Sequence, residues 1–366
     1  MVLDGPGVLL QSAEGPKSAA LLAGAQFFAI GWVVLNQFRD HLGLEVGARS
    51  GLVAKGYLGA ALFIVLSGFL VCRRYERLRS ANLFDYGDFL WRRFSFAYPL
   101  HLTILLGLAG FAGEAIHHAS FGWRDLPANL LLVQAWGALR TDSWNFPSWL
   151  ISAEWFAYLV FPLTAWVALR GLRRASFAVA ASIAIFILMF LLSARAGILF
   201  TDMTTRIGAL QTVPAFLLGA ALWRLGRERA PASSAAAILA LTALVWIVAA
   251  ATWRFSDLVI WPAFAPLVFG LAHIRAVDGQ RPLRYLGQLS IAMMLIYLPV
   301  DIAYFRVARF AFGTPKGAEA WLIWSGVFPA IVLAAVVAHH GLQRPLWLWL
   351  QVHRPFDRRA KLGDPT

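Results

Sequence analysis

Ten stretches of this chain, at 19–38, 53–72, 95–112, 149–169, 175–193, 209–223, 235–252, 257–273, 285–303 and 321–338, are apolar enough to enter a bilayer. A crossing needs about 20 such residues, and a backbone inside hydrocarbon must satisfy its hydrogen bonds within one helix or a closed barrel. Continuous apolar runs of this length predict helices. The expected fold is therefore all-α, a polytopic membrane protein with about ten transmembrane helices. With 60% hydrophobic and only 14% charged residues, a soluble globular reading is excluded.

The basic residues set the expected orientation. Roughly two thirds of the 32 Lys and Arg residues, among them Lys17, Arg74, Arg92, Arg93, Arg173, Arg227, Arg284 and Arg358, fall on the side of the N-terminus. Both termini are thus expected to be cytoplasmic. The same asymmetry explains the net charge of +13 without nucleic acid, since the basic residues occupy short linkers rather than one soluble patch. One cysteine, Cys72, leaves no internal disulfide and no thiolate metal cluster, so no metal is expected. The start lacks the pattern of a signal peptide. Three parts are expected: a cytoplasmic segment over 1–18, one membrane domain over 19–340, and a cytoplasmic tail over 341–366. In the tail, Pro345 to Leu350 reads as an amphipathic stretch at the interface. Asn129 to Ala138 is apolar but too short to span, so it is expected to be re-entrant or packed on the bundle.

Glu154 is the polar residue that most demands an explanation. It lies in the run from Pro147 to Pro162, five residues into a segment otherwise suited to lipid. An ionised acid at the centre of a spanning helix costs roughly 2.5–3.5 kcal/mol, which points to a polar cavity or site. The alternative is a hydrated acid near the helix mouth.

Four segments go further than a membrane bundle. They are Gly56 to Phe69 (with Gly59, Ser67 and Gly68), Trp91 to Leu100 (with Arg92, Arg93 and Tyr98-Pro99), Trp149 to Glu154 (with Ser152), and Leu286 to Pro299 (with Gly287, Ser290 and Tyr297). In this order, over about residues 19 to 340, they resemble the integral-membrane acyltransferase family 3, whose members O-acylate surface polysaccharides, lipopolysaccharide, peptidoglycan and small glycosides. The resemblance implies an acetyl or other short acyl group moved from acyl-CoA to a hydroxyl of a surface glycan or glycolipid. It implies no bound cofactor beyond the acyl-CoA donor, and a place in the bacterial inner (cytoplasmic) membrane. It also leaves open contacts with surface-polysaccharide assembly proteins.

By the same resemblance Arg92 and Arg93 suit the phosphates of acyl-CoA, although positive-inside anchoring explains them as well. Trp149, Ser152 and Glu154 match a family motif, in which Glu154 is expected to be catalytic, either orienting the base that deprotonates the acceptor hydroxyl or serving as that base itself. Arg206 stands where the family often has an Arg at the start of a span, and an interface anchor is the plainer reading. Gly56, Gly59 and Gly68 would let helices approach closely.

Several positions depart from the pattern. The family has an Arg in the first span and, eleven positions later, its principal catalytic His; here the register reads Gln26 and Gln37. Eleven helical residues rise about 16 Å, half the hydrocarbon core. Glutamine keeps hydrogen bonding but cannot serve as a general base. Ala61, Phe96 and Tyr297 likewise replace an acid, an Arg and a His. His41, one turn beyond Gln37, is the best local substitute, its alternative being an exposed interfacial residue. His101 fits a hydrogen-bonded packing role, and the pairs His117/His118 and His339/His340 fit loops or interfaces. A catalytically degenerate family member, acting as a glycan-handling, transport or assembly subunit, is the second expectation. An unrelated secondary transporter would show inverted repeats, which the sequence lacks.

Overall fold

The apolar runs become helices because a long backbone in lipid has no other way to pair its amides. The computed structural model describes residues 19–42, 50–80, 84–115, 121–139, 143–197, 204–275, 280–313 and 318–354, and among them there is no strand. The principal helices are α1 (Ala19–Gln37), α2 (Leu58–Ser80), α3 (Tyr86–Ala115), α4 (Trp149–Leu159), α5 (Phe161–Trp166), α6 (Ala175–Arg195), α7 (Thr204–Glu228), α8 (Ser233–Thr252), α9 (Phe264–His273), α10 (Arg281–Phe312), α11 (Ala318–Ala338) and α12 (Arg344–Val352).

Six helical runs among the described residues are long and apolar enough to cross a membrane by themselves: those of α1, α2, α6, α8, α10, and α11 continued into α12. The other four expected spans differ for physical reasons. The 149–169 span is two helices bent by 61°, with Pro162 at the start of the second. The 257–273 span is broken into three pieces, with Pro262 in the middle one. α3 is one long helix through the expected 95–112 span, and α7 is long but enclosed, packing against α2, α6, α4 and α9. A helix enclosed by others need not be uniformly apolar.

α2 is the inner helix, 83% buried over its span, whereas α6 and the α11–α12 run are 22% and 17% buried and form the outer layer. Its closest neighbour is α7, and glycine makes that approach possible. A Cβ at Gly68 would strike the Phe216 carbonyl of α7, and one at Gly219 the Val65 carbonyl of α2. Gly59 in turn meets the Ala29 carbonyl of α1. The expectation of small-residue packing at Gly56, Gly59 and Gly68 is met at all three. α10 lies along α1 on one side and α11 on the other.

The stretch from Leu126 to Ala138 is packed on the bundle, as a short helix (Leu126–Leu130) and a π-helical turn (Gln134–Ala138) against α7 and α4. Ser152 fastens it, donating to the Leu132 carbonyl at 2.7 Å and accepting from the Ala135 amide at 3.2 Å. Leu132 has φ 55°, a left-handed conformation unfavourable for leucine, and this anchoring holds it there. α12 docks across α3, where Gln351 reaches Ser95 at 2.7 Å and Arg354 reaches Asp88 at 3.3 Å. Its two faces differ as an interfacial helix requires, Trp347 being buried and Trp349 exposed.

Candidate functional site

Glu154 does not lie at a hydrated helix mouth. It is 4% exposed, and one oxygen of its carboxylate accepts the hydroxyls of Ser67 on α2 and Tyr158 one turn along α4. Ser67 is nine residues into α2, about 14 Å along its axis, so this cluster lies well inside the bundle. Two hydroxyl donors are what a buried acid needs to offset the water it has lost.

The cavity beside Glu154 is where the four sequence segments meet. Its wall takes Gln26 from α1, Phe63 and Ser67 from α2, Arg93, Phe94 and Phe96 from α3, Ile151, Trp155 and Tyr158 from α4, and Gly287, Gln288 and Ser290 from α10. Leu132 of the fastened segment closes another part. Three sequence candidates, Gln26, Arg93 and Glu154, are thus brought together although they lie on three different helices.

A second cavity opens between α2 and α3, lined by Arg74, Tyr75, Asp85, Asp88, Arg92 and Arg93 among others. Arg93 belongs to both cavities. Its guanidinium is held over the rings of Tyr158, at 5.1 Å, and Phe89, at 5.8 Å, which fixes a cation at the junction. Arg92 is paired with Asp88 at 2.6 Å, and Asp88 also contacts Arg354 of the chain beyond α12. Arg74 was not singled out from the sequence. Its signal was the spacing of seven from Ser67, which puts both on one face of α2.

The remaining candidates are elsewhere. Trp149 lines a third pocket with Tyr57, Ala61, Gln211, Thr212 and Trp261. Beside it Lys55 Nζ lies 2.6 Å from Asp257 Oδ1, and the Tyr57 hydroxyl donates to the same carboxylate at 2.8 Å. Burial, and then the Asp257 charge, push the Tyr57 phenol above its ordinary range. Ser152 is occupied with the Leu132 segment. Tyr297 is buried, its ring edge-on to Phe38 and Phe146.

Gln37 is half-buried at the end of α1. His41, in the 3-10 turn that follows, has Nε2 2.9 Å from Asp301 Oδ1. Arg206 lies in the first turns of α7 with its side chain outside the described residues, as are His117 and His118. His101 is a buried packing histidine, Nε2 donating to the Asn129 carbonyl at 2.8 Å. His339 contacts Gln343 at 2.8 Å and His340 contacts Tyr285 at 3.0 Å. Among the described residues no group of His, Cys, Asp and Glu has the arrangement of a metal site.

Helices long and apolar enough to span a membrane, packed around a cavity that holds the Glu154 cluster, define an integral membrane protein. Residues 22–340 match the family described as Acyltransferase domain (Acyl_transf_3), and the chain belongs to that family. It is similar to Acyltransferase MdmB of Streptomyces mycarofaciens, 36% identical over 114 residues, a match covering 30% of this chain and 28% of that relative. No solved structure matches the chain.

Proposed function

We propose that this protein transfers a short acyl group from acyl-CoA to a hydroxyl of a glycan or glycolipid, across a bilayer that its ten expected segments cross with both termini cytoplasmic. The observation that carries the reading is the sharing of Arg93 by the two cavities. On the cytoplasmic side, Arg74, Arg92 and Arg93 form a guanidinium cluster suited to the phosphates of CoA. The inner cavity then receives the arm of the donor, and Glu154, an acceptor fixed by Ser67 and Tyr158, binds an amide N–H of that arm.

The acceptor approaches from the extracytoplasmic ends of α1 and α10. No metal and no resident cofactor enters the scheme. The segment over 1–18 and the tail over 341–366 flank the membrane domain in the cytoplasm, and the inner membrane of a bacterium is the setting in which donor and surface glycan meet. Assembly proteins of a surface-polysaccharide pathway are the expected partners.

The test uses the full chain in lipid nanodiscs with acetyl-CoA and longer acyl-CoAs, a panel of glycans and glycosides, thiol release and mass spectrometry of the product. Acylated product is expected, with Arg93→Gln raising the donor KM about tenfold, the loss of one charge-assisted contact. Absence of both thiol release and product would sink the transferase reading. Binding of acyl-CoA without turnover would favour the non-enzymatic subunit, which the neutral Gln26 in the cavity wall also suits.

A further inference from the structure

Three cavities are strung along α2. Tyr57, in the turn before this helix, and Ala60 and Ile64 within it line the third pocket, Phe63, Ser67 and Leu70 line the Glu154 cavity, and Arg74, Tyr75 and Leu78 line the outer one. From Tyr57 to Arg74 the chain rises about 25 Å, so the third pocket is at the end of α2 opposite the arginines. The stretch that carries Tyr57 is also tied to the end of α1. Asn36 donates to the Val53 carbonyl at 2.9 Å, and Trp32 to that of Leu52 at 2.7 Å.

The aromatic side chains of this pocket are fixed from behind. Trp261 is 1% exposed and stacks on Phe186 with centroids 4.2 Å apart and planes at 5°. Trp149 lies against Gly208 of α7, where a Cβ would come within 3.3 Å of its ring. The Tyr57 hydroxyl donates to Asp257 at 2.8 Å and accepts from Lys55 at 3.2 Å, so it is satisfied and its ring is held.

Two of these side chains have a donor left open. Among the described residues the indole N–H groups of Trp149 and Trp261 have no hydrogen-bond partner, although an indole as deeply buried as Trp261 ordinarily finds one. Thr212, in the same wall, donates to the Ala209 carbonyl at 2.6 Å and keeps lone pairs with which to accept. An acyl chain would cover the rings and leave these polar groups unmet. A pyranose suits both, because its C–H face carries the weakly positive hydrogens that an aromatic face attracts, and its hydroxyls accept from N–H and donate to oxygen.

We propose that the third pocket is a sugar subsite, which takes a pyranose ring of the acceptor against Trp149 and Trp261, with Thr212 accepting from one of its hydroxyls. The ring's place in an acceptor rests on the transferase reading, whereas its binding does not. Sugar recognition then lies at one end of α2 and phosphate recognition at the other, with the Glu154 cavity between them.

The experiment uses the full chain in nanodiscs, labelled with fluorotryptophan and titrated by fluorine NMR with the methyl pyranosides of glucose, galactose and mannose. Signals are assigned from Trp149→Phe, Trp253→Phe and Trp261→Phe. At least one glycoside should shift the Trp149 and Trp261 signals with a Kd on the order of 1 mM, as befits one small ring, and leave that of the exposed Trp253 in place. Trp149→Phe and Trp261→Phe, which keep an aromatic face and remove the N–H, should each weaken binding about three- to tenfold, and Trp253→Phe should not. In the transfer assay Trp261→Phe should raise the acceptor KM by the same factor with the donor KM unchanged. Glycosides that shift neither signal would overturn the subsite, and product formed by the same samples would spare the transferase reading. Broadening of the Trp261 signal by a phospholipid spin-labelled on its acyl chain, with no response to glycosides, would assign the pocket to lipid and overturn it as well. Glycoside binding without any transfer would uphold the sugar site and count against the transferase reading.

Discussion

The carboxylate of Glu154 on α4 is hydrogen-bonded to the Ser67 hydroxyl of α2, deep in the bundle and at the wall of the cavity where all four motif segments meet. Removing Ser67 leaves a buried acid with one donor fewer. Ser67→Ala should therefore cost about 1–3 kcal/mol of stability, the penalty of a buried polar group left short of a partner. Thermal unfolding in detergent checks this. Glu154→Gln, which keeps the shape but puts an amide in place of the carboxyl, should weaken acyl-CoA binding about tenfold in an equilibrium titration, and Glu154→Leu by more.

Asp88 contacts both Arg92 and Arg354 at the entrance of the outer cavity. These partly exposed pairs are each worth ~0.2–1 kcal/mol, and the carboxylate opposes an incoming phosphate. Asp88→Asn should lower the donor KM about two- to fivefold at low salt, an advantage that shrinks as ionic strength rises. A higher KM would mean that Asp88 holds the arginines in their binding positions.

Gly68 and Gly107 make opposite predictions. An alanine Cβ at Gly68 meets the Phe216 backbone, whereas at Gly107 it meets nothing within 4 Å. Gly68→Ala should destabilise by roughly 1–3 kcal/mol through overpacking. Gly107→Ala should be neutral or stabilising by up to ~1 kcal/mol, because it removes a glycine from a helix interior. Comparative melting curves in one detergent decide the pair.

Lys55, Tyr57 and Asp257 should behave as one unit. A cycle built from Lys55→Met, Asp257→Asn and the double variant should give a coupling energy of about 0.5–3 kcal/mol. The raised Tyr57 pKa adds a pH dependence. Above pH 10.0, the ordinary phenol value, the unfolded chain loses this proton while the native state keeps it, so stability falls as pH rises further. The difference between wild type and Tyr57→Phe isolates that slope. A slope of zero would show that the phenol is not shielded.

Much was legible in residue order. Apolar length dictated the helices, since in lipid a backbone pairs its own amides or none. Gly59 and Gly68 marked the close crossings, and the four segments marked the family. Glu154 announced itself as an acid in an apolar run, yet its depth did not follow from the run, because the packed Leu126 to Ala138 stretch and the bend after Leu159 set where α4 sits.

By length and composition six of the expected spans stand alone among the described residues, while others are enclosed by neighbouring helices, as α7 is, or broken at a proline, as at Pro262, and composition cannot tell a helix facing lipid from one facing its neighbours. Pairings between distant helices were the least legible. Lys55 and Asp257 are 202 residues apart, and neither they nor His41 and Asp301 share a local pattern. Periodicity reports which face of one helix a residue occupies. Which two faces meet, and so which lysine receives a carboxylate and which arginine lines two cavities, is settled only when the helices pack.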